Sequence, residues 1–300
     1  MPRPISRDTR LCMSLSGRPG NFGTCFHNYL YEALDLDFVY KAFTTTDLPA
    51  AIGGIRALGI RGCAVSMPFK EACIPLLDEL DASASAIDSV NTIVADNGWL
   101  KGYNTDYSAV ASLLASHAVP RDIRFAVRGS GGMAKAVASA FRDSGYRHGT
   151  IVARNPQSGP TLARGCGYAW LTELGDEQPQ MLVNVTPLGM EGGPEADALA
   201  FTREQVAAAN WVFDVVALPV ETPLIRFARK LGKPVITGAE VIVLQAVEQF
   251  VLYTGVRPEA ELIEKAAEFA RGRGSPVGAI SIAKGHAVPP KGQTCGLPSE

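Results

Sequence analysis

The chain has 300 residues, 47% of them hydrophobic and 19% charged, which suits a globular protein of one or two domains with an ample core. A formal net charge of -2 is too small to point to nucleic acid or an anionic membrane as a partner. No apolar run reaches the roughly 18 residues of a membrane span, and the opening MPRPISRDTR lacks the apolar stretch of a secretory signal, so a cytoplasmic location is expected.

In chain order, residues 10–16 and 38–43 read as buried strands and 62–66 as a third, with helices at 25–34 and 48–58, the second closed by Gly59. A helix is expected over 69–80. Two strands follow at 90–95 and 99–103, joined as a hairpin through Asp96-Asn97-Gly98. After a helix over 106–116, the stretch Val119-Pro120-Arg121 reads as a junction. A second series then begins: strand 123–128, helix 133–144, and strands at 149–154, 180–186, 211–217 and 234–237, spaced for an open parallel sheet. A long apolar-periodic helix at 241–253 and a charged one at 258–271 complete it. Beyond Gly272 the chain is rich in Gly, Pro, Ser and Lys without periodicity, and is expected to be disordered. The expected plan is therefore α/β in two domains. Residues 1–118 with 241–271 form a mixed α/β substrate domain, to which the C-terminal helix returns, and residues 119–240 form a Rossmann-like parallel-sheet domain. No internal repeat is present.

Six cysteines, at 12, 25, 63, 73, 166 and 295, form no CxxC and pair with none of the four scattered histidines, so they read as reduced thiols and no metal site is expected.

The segment Gly129-Ser130-Gly131-Gly132-Met133-Ala134 fits G-x-G-x-x-[GA]. It follows an apolar strand and opens a helix, where small residues let the backbone touch a pyrophosphate at the helix N-terminus. A ligand-free βα turn is the plain alternative. NAD-binding versions carry an acid about 20 residues after the first glycine. Here the stretch GTIVARNPQS holds no carboxylate, and Arg154, followed by Asn155, stands in its place. A guanidinium there can grip a 2′-phosphate, which favours NADP, although an exposed arginine without a ligand fits the pattern too.

Lys70 lies in the first turn of a helix closing the third strand, where the macrodipole mildly disfavours its charged form. It reads as a solvated surface lysine or as an acid/base group at a strand's carboxyl end. Asp106, after Asn104-Thr105, reads as an N-cap or first-turn acid, or as the partner of that lysine. Oxidising a secondary alcohol by hydride transfer requires removal of the hydroxyl proton, which a Lys and an Asp could share.

Taken in order, Ser66-Met67-Pro68-Phe69-Lys70-Glu71, Ser89-Val90-Asn91-Thr92, Asn104-Thr105-Asp106, the 129–134 loop, Asn184-Val185-Thr186-Pro187-Leu188-Gly189-Met190 and Gln245 resemble the shikimate dehydrogenases, over residues 11–271. Gly17-Arg18-Pro19 and Phe26-His27-Asn28 resemble the divergent, shikimate dehydrogenase-like branch of that family. The resemblance implies reversible reduction of 3-dehydroshikimate to shikimate by NADPH, a step of aromatic amino acid biosynthesis. By it Lys70 and Asp106 would be the catalytic pair. Ser66, Asn91, Gln245 and Gln249 would hold the substrate, while Thr186 and Val215 would lie along the cofactor. A small cyclic hydroxy acid is then the expected partner, with monomer and homodimer both open. Domain closure would hinge near Val119-Pro120 and Gly238.

Four positions depart from the family pattern. Asn21-Phe22-Gly23 replaces two serines that hold the substrate carboxylate, so Asn21 or Thr24 is expected to take that place. Ala217 stands for a tyrosine near the cofactor, Glu240 for a glycine beside the nicotinamide, and Ser158 for a second arginine of the NADP clamp. Quinate or aminoshikimate dehydrogenase, and a catalytically weak NADP(H)-binding regulator, are the alternative functions. A tetrahydrofolate-type dehydrogenase is disfavoured by the substrate-side motifs.

Overall fold

A computed structural model describes residues 4–274. The chain forms two α/β domains, each built on a six-stranded sheet. The first contains β1 (Arg10–Leu15), α1 (Phe22–Ala33), β2 (Phe38–Phe43), α2 (Leu48–Ala57), β3 (Gly62–Val65), α3 (Phe69–Ala72), a 3-10 turn (Ile74–Leu76), β4 (Glu79–Leu80), α4 (Ala82–Ser85), β5 (Thr92–Asp96) and β6 (Trp99–Tyr103). Helix α5 (Thr105–Ser116) leads into the second, with β7 (Phe125–Arg128), α6 (Gly132–Asp143), β8 (Gly149–Val152), α7 (Ser158–Cys166), β9 (Ala169–Leu171), β10 (Met181–Asn184), α8 (Arg203–Ala208), β11 (Trp211–Asp214), α9 (Pro223–Lys230) and β12 (Val235–Thr237). Helices α10 (Gly238–Thr254) and α11 (Ala260–Gly274) end the described chain.

The first sheet has the order β2-β1-β3-β5-β6-β4 and mixes parallel pairs with the antiparallel β3–β5 and β5–β6. The hairpin turn is made by Asn97 and Gly98, both at positive φ (50° and 82°). That is the backbone an Asn-Gly pair supplies at low cost. The second sheet is wholly parallel, order β12-β11-β10-β7-β8-β9. Its connections reverse direction between β7 and β10, the switch point outside which ligands gather in open α/β sheets.

The expected helix over 69–80 does not form as one piece. Pro75 lacks the N–H that an uninterrupted helix would use, and the chain passes through the 3-10 turn into β4, which pairs with β6. Helix α11 runs on to Gly274, past its expected end at 271, and the remainder of the expected tail, 275–300, lies outside the described residues. Helices α4, α7, α8 and α9 and strands β4 and β9 are additional to the expected elements.

Helices α10 and α11 return to the first sheet, where Phe250, Tyr253, Ala266 and Ala270 share one core with Phe26, Leu30 and Tyr40. Arg61, beside β3, donates to the carbonyls of Tyr253 (3.0 Å) and Ala95 (2.8 Å), placing a cation at the C-terminal end of α10, where the helix dipole favours it. Helix α5 carries Leu113 and Leu114 into the core of the second sheet, so the element that begins in one domain is anchored in the other.

His27 sits wholly inside the first core, its ring stacked on Tyr40 at 4.5 Å, and both ring nitrogens lack a hydrogen-bond partner. Burial holds the imidazole neutral by lowering its pKa from 6.5 to about 3. Its neighbour Asn28 donates to the carbonyls of Thr24 (2.9 Å) and Tyr40 (2.8 Å) and accepts from the Tyr40 amide (2.8 Å), tying α1 to β2. The His-Asn pair is thus a structural lock behind the loop at 17–23. Because the unfolded histidine takes up a proton near pH 6.5 and the folded one does not, stability falls as pH drops below that value. Wild type should lose about 2 kcal/mol relative to His27→Phe between pH 7 and pH 5 in chemical denaturation. Parallel curves for the two proteins would contradict it.

Candidate active site

Two cavities flank the glycine loop. One, of about 380 Å³, lies between the two sheets and is lined by Ser66, Lys70, Asn91, Asp106, Gln245 and Gln249 from the first domain's side, and by Met133, Val215, Ala217 and Gly238 from the second's. The other, of about 420 Å³, lies over the carboxyl ends of β7, β8 and β10, against Gly129, Ser130, Arg154, Asn155 and Thr186. Residues 129–133 run from one to the other, so an elongated ligand crossing the loop would reach both.

In the first cavity Lys70 Nζ donates to Asp106 Oδ2 at 2.6 Å, with only 24% and 12% of the two side chains exposed. Lys70 follows the turn at Met67-Pro68, and its carbonyl accepts from the amide of Val90 at 2.9 Å, which fixes the turn against the approach to β5. Asp106 lies in the first turn of α5, whose N-cap Asn104 accepts from the amide of Tyr107 and donates to the Ser89 carbonyl.

Asn91 joins the two segments. Its Oδ1 accepts from the Thr105 amide (2.8 Å) and the Thr92 hydroxyl (2.8 Å), and its Nδ2 donates to Thr105 Oγ1 (3.1 Å). Gln249 of α10 donates to Thr92 Oγ1 at 3.1 Å, linking the returning helix to the same cluster. Gln245, one turn earlier on α10, donates to the carbonyl of Ile242 and lines the same cavity.

The remaining wall, at the loop after β1, is built from Ser14, Ser16, Arg18, Gly20, Phe22 and Gly23. Asn21 is not part of that lining: it is exposed, at the start of α1, and caps no amide there. The Thr24 hydroxyl is buried with no partner. Arg18, which sequence reasoning used only as a branch marker, faces the cavity; its nearness to the lost serine positions is the signal that could have found it.

On the nucleotide side, Gly129 has φ +128°, and a Cβ there would meet Val185 Cγ2 at 2.7 Å, so only glycine fits beside β10. Gly131 and Gly132 face open space. Helix α6 begins there without a side-chain cap and without an acid in its first turn, leaving its N–H groups open to an anion. Ala134 is buried in the helix behind them. These features fit a dinucleotide pyrophosphate. Glu240 does not intrude on the cavity: it closes a capping box with Thr237 (2.7 and 2.8 Å) and meets His117 at 2.8 Å. Gly238 does line it, and a Cβ there would strike the Val215 and Val216 backbone at 2.4 Å.

Beneath this floor Asp214 is buried and accepts from Thr222 Oγ1 (2.7 Å), Asn184 Nδ2 (3.0 Å) and the Val216 amide (3.1 Å). Burial pushes its carboxyl up to about 6 although all three hydrogen bonds oppose the shift. The network ties the ends of β10 and β11 together, which positions Thr186 and Val215.

Among the described residues no cluster of His, Cys, Asp and Glu could hold a metal ion, and no helix is long and apolar enough to cross a membrane. Cys12 and Cys73 are buried thiols that burial pushes up to about 12.

A family model described as the shikimate dehydrogenase substrate binding domain matches residues 23–93. The chain is 59% identical over 267 residues to the shikimate dehydrogenase-like protein of Haemophilus influenzae, covering 89% of this chain and 98% of that one. Among solved structures it superposes on shikimate 5-dehydrogenase from Thermus thermophilus in complex with NADP(H) and shikimate, at 29% identity and TM-score 0.79, over 87% of this chain and 99% of that one. It also superposes on quinate dehydrogenase from Corynebacterium glutamicum in complex with NAD, at 28% identity and TM-score 0.78, over 87% and 98%.

Replacing Asn91 by Ala leaves the buried Thr105 amide and Thr92 hydroxyl without their shared acceptor. The variant should lose about 1–3 kcal/mol of stability in denaturant titration. An unchanged midpoint and slope would contradict this role.

Proposed function

This chain belongs to the shikimate dehydrogenase family, and we propose that it is an NADP-dependent dehydrogenase that interconverts shikimate, or a closely related cyclic hydroxy acid, with its keto form. The observation that carries the proposal is the Lys70–Asp106 contact of 2.6 Å in a cavity that adjoins the open N-terminus of α6. A bound nicotinamide supplies the hydride acceptor.

In the oxidative direction the carbinol C–H bond breaks and its electron pair leaves with the hydride. The hydroxyl proton passes to the Lys70–Asp106 pair, and the carbonyl forms. Ser66 and Gln245 present neutral polar groups to the ring hydroxyls. Asn91 has a second N–H to offer, since one already serves Thr105. Gln249 holds Asn91 and α10 in register and faces the same ring. Met133 and Val215 line the cavity with apolar surface and would form the floor for the nicotinamide. Gly129 and Ser130, with Gly131 and Gly132 at the open start of α6, would hold the pyrophosphate of a bound dinucleotide, and Arg154 and Asn155, which line the same cavity as Thr186, would meet its adenosine ribose.

The substrate carboxylate needs a partner that the loop at 20–23 does not supply, since glycines and Phe22 face the cavity there. Arg18, with the Ser14 and Ser16 hydroxyls, meets that need. A guanidinium binds a carboxylate through paired N–H groups, where hydroxyls offer one donor each. This altered wall is also the observation that favours the second reading, quinate or aminoshikimate as the better substrate.

Initial rates of NADP reduction with shikimate, quinate and aminoshikimate, repeated with NAD, test the proposal. Turnover on at least one acid is expected, and the ratio of kcat/KM names the substrate. NADPH binding with no turnover on any of them would favour a regulatory role instead. Lys70→Ala should lower kcat by about 100-fold or more without weakening NADPH binding. Unchanged turnover would remove Lys70 from the mechanism. Arg18→Ala should raise KM for the acid by about 10- to 100-fold, with Arg18→Lys between the two. An unaltered KM would place the carboxylate elsewhere.

A further inference from the structure

We propose that Arg128 is the second cation of a 2′-phosphate subsite, acting with Arg154 to make the chain select NADP over NAD. The proposal rests on the dinucleotide reading above and concerns how this chain achieves its selectivity.

Strand β7 alternates its side chains between the two faces of the second sheet. Phe125 and Val127 enter the core shared with α5 and α6, and Ala126 enters the opposite core. Arg128 therefore emerges on the Ala126 side, at the strand's carboxyl end, immediately before the first glycine of the loop. Its guanidinium lies 5.5 Å from the ring centroid of Phe201, which supports a cation on its face. Both Arg128 and Arg154 line the cavity over β7 and β8.

The state of Arg128 is unusual for an arginine without a function. It is half-buried, its Nε is fully buried with no hydrogen-bond partner, and among the described residues no acid forms an ion pair with it. Burial lowers its pKa below the ordinary arginine value, Glu173 opposes that shift, and Arg154 adds to it. A desolvated cation with an unused donor beside a second cation is an arrangement that a bound dianion relieves.

Position 158 cannot supply this charge. Asn155 Oδ1 accepts from the amides of Gln157 (2.9 Å) and Ser158 (3.0 Å), folding the loop after β8 into a tight turn. The Ser158 hydroxyl is then 2.7 Å from that of Ser130, closing the loop onto the glycine turn. Arg128 reaches the cavity from the neighbouring strand instead. The carboxylates of Glu173 and Glu195 also line the cavity, but both residues are exposed and keep their hydration. Without Arg128 the balance of charge would turn toward a free ribose hydroxyl, and so toward NAD.

Calorimetric titration of the full chain with adenosine 2′,5′-bisphosphate and with adenosine 5′-monophosphate isolates the subsite from catalysis. Wild type should bind the bisphosphate more tightly. Arg128→Gln should weaken bisphosphate binding by about 10- to 150-fold while leaving the monophosphate within about twofold, and NADPH should follow the bisphosphate. If thermal melting shows Arg128→Gln to be unfolded, Arg128→Lys carries the test: it keeps a point charge, loses the planar fork, and should lose part of the preference. A wild type that binds both nucleotides equally would overturn the proposal. So would a preference that survives Arg128→Gln, or Arg128→Lys where that variant carries the test, but disappears in Arg154→Gln. A wild type that binds neither nucleotide would overturn the dinucleotide reading itself, and with it this proposal, before any substitution is made.

Discussion

Lys70 and Asp106 come from segments separated by three strands, yet their charged atoms meet at 2.6 Å in a site that is largely withdrawn from water. An ion pair in that setting is maintained only if the backbone on both sides is held, because the charges gain too little from attraction alone to offset their desolvation. The holding element is Asn91. Its side chain binds the Thr105 amide at the start of α5, and the amide of Val90, the residue before it, bonds the Lys70 carbonyl. Gln249 adds the returning helix to the cluster. Lys70, Asp106 and α10 are thereby positioned by a small buried polar network, which is satisfied within itself and leaves the pair free to face the cavity.

The second sheet meets this arrangement with its own constraint. Reversal of strand order at β7 and β10 opens a crevice at their carboxyl ends, and Gly129 lets the chain turn there against Val185. Gly238 allows α10 to start hard against the end of β11, bringing Gln245 and Gln249 over the first domain's cavity. Helix α5 is bonded at its start to Asn91 of the first domain and packs its later turns into the second domain's core, so Asp106 is anchored from both sides. The Asp214 network stiffens the floor between them.

Much of this was legible from residue pattern. The 129–134 loop, the Asn97-Gly98 turn and the parallel series after Pro120 each follow from local chemistry that needs no tertiary context. Lys70 and Asp106 were not legible alone: each has a plain surface or capping explanation, and only the ordered set of motifs singles them out. The break at Pro75 was readable as a helix stop, but the pairing of β4 with β6 depends on contacts distant in sequence. Helices α8 and α9 do carry start signals, a capping box at Thr202 and Gln205 and Thr222 before Pro223. Glu240 shows the opposite limit. Its position marks it as a departure beside the cofactor, whereas its carboxylate is consumed by Thr237 and His117. Arg128 gives no signal in sequence beyond an unexpected charge at the end of an apolar strand. Its orientation emerges from strand alternation and the placement of Phe201.

The most direct test of the account is to supply 3-dehydroshikimate with NADPH deuterated at the nicotinamide C4 and to follow the label by mass spectrometry and NMR. Shikimate should carry deuterium on the carbinol carbon, with transfer lost in Asp106→Asn. Labelled NADPH that binds to the wild-type protein and is recovered unconsumed, with 3-dehydroshikimate and with the keto forms of quinate and aminoshikimate alike, would contradict it.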